Sequence, residues 1–388
     1  MLTYVTAGES HGNSLTVIVS GVPAGLALTE EGIRHELLRR KMGYGRGARQ
    51  AIEPDEVLIT GGVRFGKTIG SPVSLVIRNA DWANHLDDMA VEGEPPEGYE
   101  PDYVPRPGHA DLPGVQKFGF DDCSNVYERA SARETAARVA AGCVAREILA
   151  EVDVDIRSFV CGIGGVEMYF TLEEAAAFDP LAIETSEVRC PDAAASEAMV
   201  ARIDAAKAAG TTLGGTFCVV AEGLDPGLGS YVAGPERLTS QLGAAVLSIP
   251  AIKGVEFGLG FHAAEVTGAE SSDEISLGAD GFVSATNRSG GLEGGMTTGS
   301  PLIIRAAMKP IPTQANPLDS VNLNTLEPAK APALRSDVCA VPAAAVVAEA
   351  EVAFVLARAY LEKFGGDSIA DIRNNVRRYR QRLRMMLR

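Results

Sequence analysis

The chain has 388 residues, with 35 basic and 51 acidic side chains and a formal net charge of −16 at pH 7. Hydrophobic residues make up 46% and charged residues 22%, which excludes a disordered or fibrous polypeptide and leaves ample length for a sizeable core. The acidic balance argues against a general binder of nucleic acid or of anionic membranes.

In chain order, Leu15, Val17 and Val19 alternate with Thr16, Ile18 and Ser20 and predict a strand, which Gly21-Val22-Pro23 stops. Thr29 is placed to cap a helix whose apolar face is Ile33, Leu37 and Leu38 and whose stop is Gly43. His35 falls on the solvated side of that helix, and Arg39 and Arg40 fit a solvated basic helix end. Residues 56–79 predict short strands joined by Gly-rich turns, and the Pro-, Gly- and acid-rich stretch from about Asp88 to Pro113 predicts a long loop. Ser131 and Glu134 form a capping-box pattern before an Ala-rich helix ending near Glu151.

Residues 171–210 predict one or two surface helices, 216–223 and 301–310 predict strands, and 340–364 predicts a long helix ended by Gly365-Gly366. The last sixteen residues hold seven arginines, Arg373 to Arg388, and no acid. Strands and helices interleave without a regular βαβ alternation, so the expected fold is α+β, one large domain over residues 1–388. Cys123, Cys143, Cys161, Cys190, Cys218 and Cys339 include no C-x-x-C pair and are expected as buried small apolar residues of a reducing compartment. The N-terminal MLTYVTAGESHG lacks the charge and apolar run of a secretory signal, and no apolar run approaches a membrane span. A soluble cytoplasmic protein is the expectation.

Two of the five histidines stand in small, polar, Gly-flanked segments: His11 in GESHGNS and His109 in RPGHADLPG. Glycine lets a ligand approach the backbone, and histidine is the side chain most easily poised to move protons near neutral pH. His85 and His262 have no evident placement. H-x-x-x-H, H-E-x-x-H and C-x-x-C are missing, so no metal site is expected. A Walker loop and a convincing G-x-G-x-x-G are missing too.

Arginines are more informative. Arg46 and Arg49 lie in the Gly-rich turn after Arg39, Arg40 and Lys41, which suits a carboxylate or phosphate. Arg129, Ser131 and Arg133 cluster at a helix start, where free N–H groups favour anions. Arg335-Ser336-Asp337 precedes the long helix, and the Gly-rich NRSGGLEGGMTTG (287–299) is followed by Lys309-Pro310-Ile311-Pro312-Thr313. Together these predict a site for a small, multiply anionic ligand.

The segments GESHGNSLTVIVSGVP (8–23), RRKMGYGRG (39–47), RPGHAD (106–111), ERASARETAARVAAGCV (128–144), KGVEFGLGF (253–261), GGLEGGMTTG (290–299), KPIPT (309–313) and RSDVCAVPAAAVVAEAE (335–351) together resemble chorismate synthase. The resemblance covers essentially the whole chain, in family order. It implies a β-α-β sandwich with helices between antiparallel sheets, assembled as a homotetramer. It also implies the last step of the shikimate pathway, 1,4-anti elimination of phosphate from 5-enolpyruvylshikimate 3-phosphate, with reduced FMN and no net redox change. NADPH enters only as a reductant, and whether the enzyme reduces its own flavin or receives it reduced stays open.

By this resemblance His11 would protonate the departing phosphate, His109 would protonate or balance charge on the reduced flavin, and Asp337 would assist hydrogen removal at flavin N5. Arg40, Arg46, Arg49, Arg133 and Arg335 would clamp anionic groups, with Arg40 and Arg46 linked to a nicotinamide reductant. FMN would lie against Arg129, Ala130, Ser131, Pro250, Ala251, Gly294, Lys309, Pro310, Ile311, Pro312, Thr313 and Arg335. Two departures stand out: Pro250-Ala251 where Asn-Ala is common, which removes an N–H and a side-chain amide, and Ala130 where Ser is usual. A flavin reductase using the same pocket, or an anion-binding protein without catalysis, would share most of these features.

Overall fold

The computed structural model describes residues 1–47, 52–278, 281–333 and 337–386. β1 (Thr3–Ala7) and β2 (Ser14–Ser20) are followed by α1 (Glu30–Lys41), β3 (Val57–Gly61) and β4 (Val73–Arg78). The four strands pair antiparallel in the order β1-β2-β4-β3, from Thr3 opposite Ser20 to Val57 opposite Ile77. The alternation read in β2 is realised: Leu15, Val17 and Val19 are buried, while Ile18 faces out.

Next come α2 (Asp111–Phe118), α3 (Ser124–Ala130), α4 (Thr135–Ala150), β5 (Asp155–Ile163) and β6 (Val166–Glu167). Three helices follow, α5 (Leu172–Ala177), α6 (Pro180–Thr185) and α7 (Ala193–Ala208), one more than expected over 171–210. Then come β7 (Gly215–Glu222), α8 (Leu238–Leu247), β8 (Ile252–Phe257), β9 (Leu302–Met308), α9 (Val341–Phe364) and α10 (Ile369–Met385). The second sheet is also antiparallel, ordered β8-β9-β7-β5-β6.

Helices fill the space between the sheets. α4 packs on β2 and on α9, while α9 packs on β5 and β7. The buried apolar side chains of both sheets and of this helical layer belong to one cluster. The expected α+β class, helices between antiparallel sheets, is the observed one.

A helix in a middle layer has no solvent face, and α9 is accordingly apolar almost all round, buried from Val341 to Leu356 without a break. Its exceptions are Glu349 and Glu351, both buried. Glu349 accepts from Arg39 (2.8 Å), Arg146 (2.9 Å), Arg189 (3.2 Å) and Ser158 (2.6 Å), so one carboxylate ties α1, α4 and β5 to α9.

This corrects two expectations for α1. Leu38 is exposed rather than on the apolar face, and Arg39 and Arg40 are buried rather than solvated. The inward position after Leu37 goes to guanidinium because buried carboxylates wait opposite it. Thr29 does cap α1, accepting from Gly32 N at 3.1 Å, and His35 is exposed. The capping box at Ser131 does not form. Ser131 accepts from Arg133 N within a 3₁₀ turn, and Glu134 pairs with Arg138 instead. All six cysteines are buried thiols, and burial raises the pKa of Cys143 and Cys218. No helix among the described residues is long and apolar enough to cross a membrane.

Candidate active site

The turn after β1 carries His11. Its backbone N–H donates to Glu128 Oε2 (2.8 Å) and its Nδ1 meets Glu128 Oε1 at 2.7 Å, while Ser10 Oγ donates to Ser131 Oγ at 3.0 Å. Glu128 lies on α3, one residue after Tyr127, whose ring carries the Arg106 guanidinium at 4.5 Å from its centroid. Arg106 in turn bonds Asp111 (Nε to Oδ2, 2.8 Å) and lies 3.2 Å from His109 Nδ1. Adjacent residues of one helix therefore hold the loops of both histidines.

His109 Nδ1 meets buried Asp111 Oδ1 at 2.5 Å. Burial alone would raise the Asp111 pKa, but hydrogen bonds from His109 and Arg106 overcome it and hold the carboxyl well below the usual range. The carboxylate thus orients the imidazole as well as the guanidinium.

The circuit continues through Lys309, whose ammonium donates to Gly108 O at 2.5 Å. Burial and the nearby charge of Lys253 lower its pKa. Along the following segment, Ile311 O accepts from Thr212 Oγ1 (2.6 Å), and the next residue, Leu213, donates its N–H to Val338 O (2.8 Å). Val338 N bonds Gly45 O, and Asp337 accepts from Gly47 N (2.5 Å) and pairs with Arg46 Nη1 (3.0 Å). Arg40, six residues earlier, donates to Thr135 Oγ1 (3.0 Å) and faces Asp55 at 3.7 Å. Asp55 also pairs with Arg133, which donates to Asn79 Oδ1 (2.9 Å). Asn79 donates to Glu9 O and Gly12 O, on either side of His11. The path closes on itself.

Many of the expected residues lie on this ring: His11, His109, Asp337, Arg40, Arg46, Arg133, Ser131, Lys309 and Ile311. Pro250 and Ala251 join it because Lys309 N donates to Ala251 O at 3.0 Å. Ala130 lies between Arg129 and Ser131 at the end of α3.

Two expected contacts fit less well. Arg129 is exposed and spends its guanidinium on Thr6 O, Thr6 Oγ1 and Gly8 O. Gly294 forms the turn of the hairpin Leu292–Thr297, where it and Gly295 both need positive φ. That hairpin meets the start of α8, whereas Ala251 follows its end, roughly 15 Å of helix away. Arg49 and Arg335 lie outside the described residues.

Among the described residues Arg40 and Arg133 are buried and Arg46 nearly so, while Arg129 is exposed, and the inward three are largely neutralised. Arg40, Arg46 and Arg133 face Asp55, Asp337 and Glu53. Burial, reinforced by the charges of Arg133 and Arg46 and opposed by Asp55, lowers the Arg40 pKa to about 10.

Sequence reasoning misses the carboxylate partners Glu53, Asp55, Glu128 and Asp111. Only Asp111 carries a local signal, the spacing His-x-Asp. It also leaves His85 unplaced. The His85 ring sits 4.4 Å from that of His11, and Asp81 Oδ2 is 3.9 Å from Nε2 of each.

The family model described as chorismate synthase matches residues 2–361. A chorismate synthase of Rubrobacter xylanophilus is 54% identical over 383 residues, covering 98% of this chain and 97% of the relative. One of Mycobacteroides abscessus is 51% identical over 386 residues, covering 98% and 93%. The solved structure described as "Crystal Structure of Chorismate Synthase" superposes with a TM-score of 0.79 at 40% identity, covering 99% of this chain and 98% of that one. With the helices between its two antiparallel sheets and matches of this extent, the chain belongs to the chorismate synthase family.

Proposed function

We propose that this chain converts 5-enolpyruvylshikimate 3-phosphate to chorismate by 1,4-anti elimination of phosphate, with reduced FMN and no net redox change. The observation that carries the reading is the closed circuit of contacts joining His11, His109, Asp337 and the buried arginines. A polyanionic substrate and a flavin phosphate suit it on one further ground. Arg40 Nη1 and Arg46 Nε are buried without a hydrogen-bond acceptor among the described residues, so donors remain for ligand oxygens.

Reduced FMN would supply electron density to an allylic system that has no adjacent carbonyl to stabilise a carbanion. Lys309 to Thr313, Pro250, Ala251 and Ser131 would line its site. Arg40, Arg46 and Arg133 would hold the carboxylates and phosphate of the substrate and stabilise charge as phosphate leaves. His11 would donate its Nε2 proton to the departing phosphate, its Nδ1–H anchored on Glu128. His109, oriented by Asp111, would hold or pass the proton that balances the flavin's charge, and Asp337 would help take up the proton lost from the substrate ring. Assembly as a homotetramer, testable by sedimentation, belongs to the same proposal.

Full-length protein with FMN, an anaerobic reductant and the enolpyruvyl phosphate should release phosphate and form chorismate. His11→Ala and His109→Ala should each lose about 10²- to 10⁴-fold in turnover while binding FMN. FMN-dependent NADPH oxidation without elimination would replace this reading with that of a flavin reductase.

A further inference from the structure

We propose that His11, Asp81 and His85 form a binding site for a divalent transition metal ion such as Zn²⁺, and that an ion bound there switches the enzyme off. The ligand atoms of the three side chains lie within 4.8 Å of one another. Asp81 Oδ2 stands 3.9 Å from His11 Nε2 and 3.9 Å from His85 Nε2. Zn–N and Zn–O bonds of about 2.0–2.2 Å require ligand atoms roughly 3.3–3.5 Å apart in a tetrahedron. A contraction of about half an ångström closes each Asp81 contact, and one of at most about 1.5 Å brings the two imidazole nitrogens together, both within reach of side-chain rotation.

The surroundings are those of a metal-binding pair of histidines. A ligating imidazole generally turns its other nitrogen to a carboxylate, which fixes the tautomer and raises the basicity of the ligand. Here both do. His11 Nδ1 meets Glu128 at 2.7 Å, and His85 Nδ1 faces Asp88 at 3.6 Å. Asp81 Oδ1 accepts from Asn84 at 3.0 Å, and Oδ2 faces the two rings. Asp81 sits on a 3₁₀ turn, Ala80–Asn84, and His85 directly follows it; Glu53 accepts from the N–H of Ala80 at 2.8 Å. His11 is held separately by its own N–H on Glu128. The side chains of His11, Asp81 and His85 are 26%, 16% and 30% exposed, so an ion has an open path and room for water as a fourth ligand. Two imidazoles and one carboxylate suit Zn²⁺, Co²⁺ or Fe²⁺ rather than Mg²⁺ or Ca²⁺.

The consequence for activity rests on the role given to His11 above; the site itself does not. A metal bond occupies the Nε2 lone pair that a proton would otherwise hold, so a loaded His11 has nothing to donate to the leaving phosphate.

The test titrates Zn²⁺ into the full-length protein by calorimetry, with Co²⁺ absorption as a second readout. About one equivalent should bind, with the visible d–d bands of a low-coordinate Co²⁺ site. His85→Gln and Asp81→Asn, each confirmed folded by thermal denaturation, should weaken binding about tenfold or more. No binding to the unaltered protein, or equal binding by both folded variants, overturns the site. The ratio of turnover with and without Zn²⁺ is then compared. It should fall for the unaltered enzyme, recover with EDTA and stay near one for His85→Gln. Zinc binding that leaves turnover intact would keep the site and overturn the inhibitory claim together with the acid role of His11.

Discussion

Single side chains and single backbone angles each carry weight in this molecule, and two substitutions expose that. Asp111 touches both His109 and Arg106, so it positions rather than reacts. Asp111→Asn should lower turnover about tenfold or more with FMN affinity retained, as read by anaerobic kinetics and flavin fluorescence. Equal losses in both would make Asp111 a mere prop of the loop. Ala251 adopts φ of +68°, in the left-handed region that costs an L residue roughly 1–2 kcal/mol. Ala251→Gly should therefore raise stability by about 1 kcal/mol, visible as a higher midpoint in urea, since a Cβ is strained there whatever it touches. Proline at 250 fixes its own φ and disfavours helical backbone at the residue before it.

The residues proposed to carry chemistry at the candidate site are legible in the sequence, but their charge balance is not. His11, His109 and the Gly-rich arginine turn announce themselves because glycine and proline surround polar side chains without apolar periodicity. Asp55 and Glu53 give no such signal. They precede a strand in an ordinary acidic stretch, and only the fold brings them beneath Arg40 and Arg133. Arg39 shows the same limit, since a basic helix end looks identical whether it meets water or Glu349.

Among the elements, α4 and α9 cross where their side chains are smallest. A Cβ built on Gly142 would lie 2.3 Å from Ala350 Cβ and 2.5 Å from Ala350 Cα, so the two backbones are in direct contact. This explains why both helices read as Ala-rich: a middle layer packed on each side has no room for longer side chains at the crossing. Gly142→Ala would gain about 1 kcal/mol in helix propensity. The clash is with helix backbone rather than a movable side-chain tip, and overpacking costs about 1–3 kcal/mol. A net loss of thermal stability is expected, with partial recovery in Gly142→Ala combined with Ala350→Gly. A stabilised single variant would contradict the close crossing. The long helix and its Gly365-Gly366 stop are readable from periodicity and punctuation. The exact lie of one helix on the other is a matter of three-dimensional fit and leaves only the small residues as a trace.

For the whole molecule, a net charge of −16 coexists with a buried ionic hub that joins its layers. Burial alone would raise the Glu349 pKa, but Arg39, Arg146 and Arg189 outweigh it and hold the carboxyl at about 2, below its ordinary value of 4.5. A carboxylate with a depressed folded value binds protons more readily when unfolded. Its stabilisation is therefore fully present above about pH 4.5 and disappears as the pH falls through about 2. Glu349→Gln leaves three buried or half-buried guanidiniums without their common partner and should cost about 3–5 kcal/mol near neutral pH. Urea unfolding of both proteins at neutral and at acid pH separates this from a simple packing defect. The gap should narrow steadily as the pH drops below about 4.5, because protonation does to the native protein what the substitution has already done. A gap that stays constant into the acid range would mean that the hub holds by shape alone, and that its charge contributes nothing to keeping the two sheets and their helices together.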